Sequence, residues 1–375
     1  MLCAGDPDSD RAFSGSARHL VQALDRRGIL YHKANVLGWA DPFAGGTLPV
    51  RLMRRLDRFG WQRRYQWSPA CFAANTRRAV RIARAHSGFN ACLMYGTTFC
   101  PMLDVPTYCY FDATVAQVRG AGAWEFAEMG DKPADFAQAY QQRVFENCRA
   151  IFPRTRWAGR SVTVDYGVPE DRVVPAGAGP NLLAEPLPHA RYDGQTILFI
   201  GSEFERKGGP LLLEAFTRVR ARLPAARLII AGCAPETAGP GVEVLGRVDK
   251  RAPGGLQRLL TLYSEASVFC IMSHFEPFGI VVLEAQNSYV PCVAPARFAF
   301  PETVRDGETG RLVPEYDAAL LARTLLDLLT APRQLEMMGR AGHDFVRREW
   351  TWDAAAARIH QRILRDLNGP GVEGD

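Results

Sequence analysis

Short apolar runs alternate with helix-length amphipathic stretches along most of the chain, the pattern of parallel strands joined by helical crossovers. In the first half, residues 91–96 (ACLMYG), 107–112 (TYCYFD) and 150–153 (AIFP) predict buried strands, and 15–27, 133–148 and 155–166 predict helices. The second half repeats the scheme more plainly. TILFIG, RLIIAG, VEVLG, SVFCIM, PCVAPA and RLV predict strands, and 209–222, 254–265, 279–288, 316–330 and 333–348 predict helices. Between the halves runs PNLLAEPLPHARYDG, proline-rich and without periodicity, which predicts a linker. The pattern therefore predicts two α/β domains, residues 1–185 and 186–350. About four residues precede GDPDSD at the start, so the first strand is either clipped or simply short. The tail after Leu367 is expected to be disordered.

Composition changes this picture little. A length of 375 residues suits two domains, and 47% hydrophobic residues suffice for two cores. No apolar run approaches the ~20 residues of a membrane span. MLCAGDPDSD lacks a basic start and an apolar signal core, so a cytoplasmic location is expected. The nine cysteines form no CxxC pair and lie mostly in apolar runs, as buried thiols do. The seven histidines are scattered without ligand spacing.

Charge is more informative. The net +5 is carried by the first half, and ten arginines with one acid, Asp57, fall between Arg51 and Arg84. Leu52, Leu56, Phe59, Trp61, Tyr65, Trp67 and Phe72 interleave with them. Such a stretch suits docking on an anionic membrane surface, and equally an ordinary amphipathic helix whose aromatics face a sheet. The rest of the chain is not basic, so nucleic acid is not an expected partner.

Three segments of the second half carry candidate chemistry. In 196–216 a buried strand ends at Gly201, and a polar loop with Arg206 and Lys207 leads into Gly208-Gly209-Pro210 and a helix. Ligands of open α/β sheets bind beyond the strands' carboxyl ends, and two adjacent cations there suit a diphosphate. A solvated charged turn fits the same residues. In 273–294 a strand leads to Glu276, and Pro277 fits the first turn of a helix. The N–H groups of Phe278, Gly279 and Ile280 would then face a phosphate at a helix N-terminus. Glu284 follows Glu276 by eight residues, roughly 12 Å of helical rise, about the span from a hexose to a ribose across a diphosphate. Glu284 could instead serve a local salt bridge. The third segment, 298–313, is a loop, helix start and turn beyond the next strand.

In this order and spacing the segments resemble the family 4 glycosyltransferases. The resemblance implies a GT-B fold: two Rossmann-like parallel-sheet domains facing a central cleft, the N-terminal one on the acceptor side and the C-terminal one binding a nucleotide-sugar. It implies that Lys207 binds the donor diphosphate, that Glu276 contacts the donor sugar and Glu284 the ribose, and that Phe278, Gly279 and Ile280 supply backbone contacts. Many relatives carry arginine where this chain has Ser202, itself a donor-binding candidate, so either Arg206 takes over that charge or diphosphate binding is weaker. FSGSARHLVQALDRRGI resembles the family's glycine loop and first helix, with Gly15 and Ser16 facing the donor or serving as plain caps. Relatives often place a histidine near the reacting sugar in the loop after TYCYF; here the polar residues are Asp112 and Thr114, and Asp112 could also be a buried cap. Residues 351–367 resemble the final helix that packs back on the first domain.

The implied reaction is retaining transfer of a hexose from a nucleotide-sugar to an unidentified acceptor. No metal or other cofactor is required in this scheme, since cations and a helix N-terminus hold the leaving diphosphate. DPDSD is the weaker reading as a metal-binding DxD. A GT-B sugar phosphorylase, an epimerase and a non-catalytic sugar-binding protein are the alternatives.

Overall fold

The computed structural model describes residues 1–9, 12–37, 67–122, 130–182, 184–189, 192–236 and 239–369. The basic residues from Arg51 to Arg64, Asp10 of DPDSD and the tail from Pro370 lie outside the described residues. The chain forms two units: Met1–Asn181 with Trp352–Asp375, and Leu182–Thr351.

Unit 1 holds a five-stranded sheet. Its strands are β1 (Leu2–Cys3), β2 (Ala34–Asn35), β3 (Cys92–Tyr95), β4 (Thr107–Phe111) and β5 (Ala150–Pro153), in the order β2-β1-β3-β4-β5. All pairs are parallel, with Leu2 opposite both Ala34 and Met94. β3, β4 and β5 are buried along their whole length, as strands covered on both faces must be. Helix α1 (Ser16–Arg26) packs Ala17, Leu20, Val21 and Leu24 inward at helical spacing. The other helices are α2 (Pro69–Arg84), α3 (Val115–Gly120), α4 (Asp131–Asn147) and α5 (Arg156–Val164).

Unit 2 holds a six-stranded parallel sheet. Its strands are β6 (Thr196–Ile200), β7 (Arg227–Ala231), β8 (Val242–Gly246), β9 (Val268–Cys270), β10 (Cys292–Pro295) and β11 (Gly310–Val313). Their order is β11-β10-β9-β6-β7-β8, so the winding reverses between β6 and β9. Helix α6 (Gly209–Arg222) shows why the local sequence folds this way. Proline stands in its first turn, and Leu212, Ala215, Phe216 and Val219 bury one face. Helices α7 (Gly255–Glu265), α8 (Ile280–Asn287), α9 (Phe300–Thr303), α10 (Ala318–Leu329) and α11 (Pro332–Glu349) complete the unit.

Helix α12 (Trp352–Asn368) belongs to unit 1 and packs on α1. The Trp352 indole N–H donates to the Pro180 carbonyl at 3.0 Å, and the ring stacks on His19 with centroids 6.1 Å apart. Arg26 pairs with Asp353 at 2.9 Å, and Arg358 donates to the Ala176 carbonyl.

Candidate functional site

In an open parallel sheet the crevice forms where the strand order reverses, beyond the carboxyl ends. In unit 2 that point lies between β6 and β9, whose following loops carry Arg206-Lys207 and Ser273–Glu276. The structure brings these residues together. The Lys207 ammonium donates to Glu276 Oε2 at 3.2 Å, and the Ser273 hydroxyl donates to the same oxygen at 3.3 Å. Both partners are buried, Lys207 at 8% and Glu276 at 9% exposure. Burial alone would raise the Glu276 pKa. The nearby charges of Lys207 and Arg206, with the hydrogen bonds from Lys207 and Ser273, outweigh it and hold Glu276 below the usual carboxylate value. At neutral pH it is a carboxylate that only accepts hydrogen bonds.

Arg206 is differently engaged. Its Nε and Nη2 donate to Glu203 Oε2 at 2.9 and 2.6 Å, and Nη1 donates to the Phe275 carbonyl at 2.6 Å. Nη1 also lies 3.7 Å from Glu276 Oε2. Ser202 is exposed at the start of the same loop.

The helix after Glu276 begins later than Pro277 suggests. Helix α8 starts at Ile280, and Gly279 caps it in the left-handed region with φ 79°. A Cβ there would lie 2.9 Å from the Phe300 ring, so only glycine fits both the turn and the space. Pro277 and Phe278 therefore belong to the loop, and the helical rise assumed between Glu276 and Glu284 applies only from Ile280 onward. The Phe278 ring is buried, 5.5 Å from Trp350. Glu284 lies one turn into α8, half-buried, and its Oε2 accepts from Tyr263 Oη at 3.4 Å. Burial keeps the Tyr263 hydroxyl protonated well above its usual range, and the Glu284 charge adds to the effect.

Unit 1 places its expected residues in two groups. Gly15 N-caps α1 in the left-handed region, after Phe13 and Ser14 at φ 51° and 57°. Three successive left-handed residues, two of them not glycine, make a strained entry to the helix. Asn181 holds it, donating to the Ser14 carbonyl at 2.7 Å and to Ser16 Oγ at 3.2 Å. Gly15 thus stands at the N-cap itself, as the capping alternative has it, and Ser16 is the first residue of the helix.

Asp112 follows β4. Its Oδ1 accepts from the Ala113 N–H at 3.0 Å, and Oδ2 lies 3.7 Å from Arg154 Nη1. Arg154 follows β5, is 4% exposed, bonds the Tyr95 hydroxyl and lies over the Tyr95 and Tyr110 rings. Thr114 is a structural residue: it forms a capping box with Gln117 on α3 and bonds Ser161 Oγ at 2.6 Å. Sequence reasoning missed Glu203, Ser273, Tyr316, Tyr95 and Arg154. Only Arg154 carried a signal, an arginine directly following a buried strand.

Two parallel-sheet Rossmann-like α/β units of these orders define the GT-B class of glycosyltransferase fold. Residues 194–331 match the family "Glycosyl transferases group 1". Over 175 residues the chain is 36% identical to a phosphatidyl-myo-inositol mannosyltransferase of Mycobacterium leprae, covering 44% of this chain and 45% of that protein. It is 32% identical over 184 residues to a D-inositol 3-phosphate glycosyltransferase of Segniliparus rotundus, covering 47% of this chain and 41% of that one. The alignments thus span less than half the length of these relatives. Sucrose-phosphate synthase from Thermosynechococcus elongatus shares the fold, with a TM-score of 0.71 at 18% identity over 98% of both chains.

Proposed function

We propose that the chain is a retaining glycosyltransferase that moves a hexose from a nucleotide-sugar to an acceptor. The observation that carries this reading is the Lys207–Glu276 pair at the point where the unit 2 sheet reverses. Departure of a nucleoside diphosphate develops negative charge, and a fixed cation in a shielded place stabilises it. Lys207 is that cation. Its amine sits on a flexible stem and trades one anion for another more readily than a guanidinium fork does. Glu276, held ionised, accepts hydroxyl hydrogen bonds from the donor sugar, and Glu284 accepts those of the ribose. The N–H groups around Gly279 and Ile280 face the phosphates. Gly15 and Ser16 are the donor-binding residues proposed for unit 1, and Asp112 its proposed catalytic group.

Retention follows in this reading from a front-face route, in which the donor phosphate helps deprotonate the acceptor. A double displacement would need two carboxylates about 5 Å apart across the sugar. No metal ion enters the scheme, so turnover persists in EDTA. A thermal-shift panel of UDP-, GDP-, ADP- and dTDP-sugars tests the donor assignment: one class should raise the melting temperature, and silence across all four would refute it. The anomeric form of one product tests retention.

Peripheral docking at the inner face of a membrane is the corresponding proposal for location. Among the described residues no helix is long and apolar enough to cross a membrane. Helix α2 presents Arg77, Arg78, Arg81 and Arg84 to solvent. Phe72, however, turns inward against Phe136 and Tyr140, so it is a core residue and not part of an apolar docking face. Sedimentation with anionic liposomes at low and high salt tests the charge contribution, each basic residue near the surface being worth about 1 kcal/mol. Equal recovery in the supernatant with anionic and neutral vesicles would exclude docking.

A further inference from the structure

The loop that carries Glu276 is gripped from both flanks. On the β6 side, the Met272 N–H donates to the Lys207 carbonyl at 3.1 Å, and the His274 N–H to the Arg206 carbonyl at 2.8 Å. The Arg206 guanidinium then closes over the loop, bonded to Glu203 through two nitrogens and to the Phe275 carbonyl through the third. On the β11 side, the Tyr316 hydroxyl donates to the Ser273 carbonyl at 2.6 Å. The Tyr316 ring stacks on His274 with centroids 4.9 Å apart, and the Arg297 guanidinium lies 5.5 Å from its centre. Ser273, held by Tyr316 through its backbone, passes the constraint on through its own hydroxyl to Glu276 Oε2.

We propose that Arg206 is a positioning residue and not a ligand of the donor diphosphate, and that Arg206, Glu203 and Tyr316 together fix the Glu276 carboxylate for recognition of the donor sugar. The assignment rests on the donor-site reading and deepens it. Three features support it. The Arg206 charge is already met by Glu203 through a two-nitrogen contact, a geometry a lysine cannot reproduce. Turning the fork toward a phosphate would strip the Phe275 carbonyl and the Glu203 carboxylate of their donor at once. Tyr316 reaches the same four-residue loop from the opposite side, and its target, Ser273, contacts the very oxygen that Lys207 contacts. A loop held at both ends keeps one carboxylate orientation, and hydrogen-bond recognition of hydroxyls depends on orientation.

The test separates binding of the diphosphate from binding of the sugar. Affinities for UDP and GDP are compared with those for UDP-glucose and GDP-mannose, on the wild type and on Arg206→Met, Arg206→Lys, Glu203→Gln, Tyr316→Phe and Lys207→Met. Arg206→Met should keep the nucleoside diphosphate affinity within about twofold. It should lose the extra affinity brought by the sugar and about tenfold in kcat, the scale of one charge-assisted hydrogen bond. Arg206→Lys should behave like Arg206→Met, because it keeps the charge and loses the fork. Tyr316→Phe and Glu203→Gln should shift the same quantities by less, and Lys207→Met should weaken diphosphate and conjugate alike. Loss of diphosphate affinity in Arg206→Met with rescue in Arg206→Lys would overturn the assignment and make Arg206 a ligand. Unchanged binding and kcat in both arginine variants would overturn it too. Failure of the wild type to bind any UDP-, GDP-, ADP- or dTDP-sugar would instead remove the donor-site reading, and the assignment with it.

Discussion

Each sheet ends in a cation and a carboxylate at its carboxyl edge, and the two pairs differ in which partner meets solvent. In unit 2, Lys207 and Glu276 are 3.2 Å apart and both side chains are about equally shielded, 10% and 11% exposed. In unit 1, Arg154 and Asp112 are 3.7 Å apart; the arginine is 4% exposed and the carboxylate 37%. Arg154 is also flanked by the Tyr95 and Tyr110 rings, while Lys207 reaches its partner on a flexible stem. The first pair holds an exchangeable charge and the second a locked one. In the proposed function a ligand over unit 2 competes for the ammonium, whereas a ligand over unit 1 would meet the part-exposed carboxylate and not the buried arginine.

This contrast can be broken at four points. The largest effect belongs to Asp112→Asn. It leaves the Arg154 guanidinium, 4% exposed, as a buried charge without its carboxylate, a loss that costs about 3–5 kcal/mol, so urea unfolding should show a loss of that order. Arg154→Met, which leaves only a part-exposed carboxylate behind, should cost less. A wild-type midpoint for Asp112→Asn would mean that the buried charge is not coupled to its surroundings.

Lys207→Ala comes next. Loss of a fixed cation on a leaving group costs about 3 kcal/mol, or 100- to 1,000-fold in kcat. A variant that keeps most of its turnover would transfer the role to Arg206. Glu284→Ala should weaken donor binding by roughly tenfold, a hydrogen-bond loss of about 1.5 kcal/mol, with little change in melting temperature. Titration with the matched nucleotide-sugar checks it; an unchanged Kd removes Glu284 from the ribose.

The smallest effect is that of pH. The folded pKa of Glu276 lies below its ordinary value of 4.5. Its contribution to stability is therefore complete above that value and is lost as pH falls through the lower folded one. Unfolding free energies measured from pH 6 downward should show this loss in the wild type and a shallower slope in Glu276→Gln. Identical slopes would show that the pair does not favour the ionised form.

Much of this was legible in the sequence because it depends on neighbours along the chain. Helix α6 runs from Gly209 to Arg222, where glycine, proline and a regular apolar spacing mark it. Strands β6, β9 and β10 stand out because both faces are covered and no charged residue interrupts them, whereas β7, β8 and β11 carry Arg227, Glu243 and Arg311. Lys207, Glu276 and Glu284 were singled out by the spacing of their loops and by the family resemblance, while the contact of Lys207 with Glu276 at 3.2 Å follows from the order of the strands. The expected helix 279–288 matches α8 to within one residue at each end, but Pro277 is not in its first turn: proline is as compatible with a loop, and the left-handed Gly279 decides between them. Glu203 and Ser273 bond neighbours within their own loops, contacts that depend on loop geometry and not on spacing. Tyr316 was not legible, because its partner Ser273 lies 43 residues away and is adjacent only through the sheet. Arg206 read as a spare cation for the same reason: its partners at Phe275 and Glu276 lie nearly seventy residues away.

Unit 1 is assembled from both ends of the described chain, with unit 2 inserted between Asn181 and Trp352. This has a consequence for biogenesis. During synthesis, unit 2 is complete once Thr351 has emerged from the ribosome, whereas unit 1 still lacks α12, the partner of α1, the Pro180 carbonyl and Asp171. Domains fold as units in the order they become available. The later-encoded unit therefore reaches its native contacts first, and the half synthesised earlier waits for the helix that packs on α1.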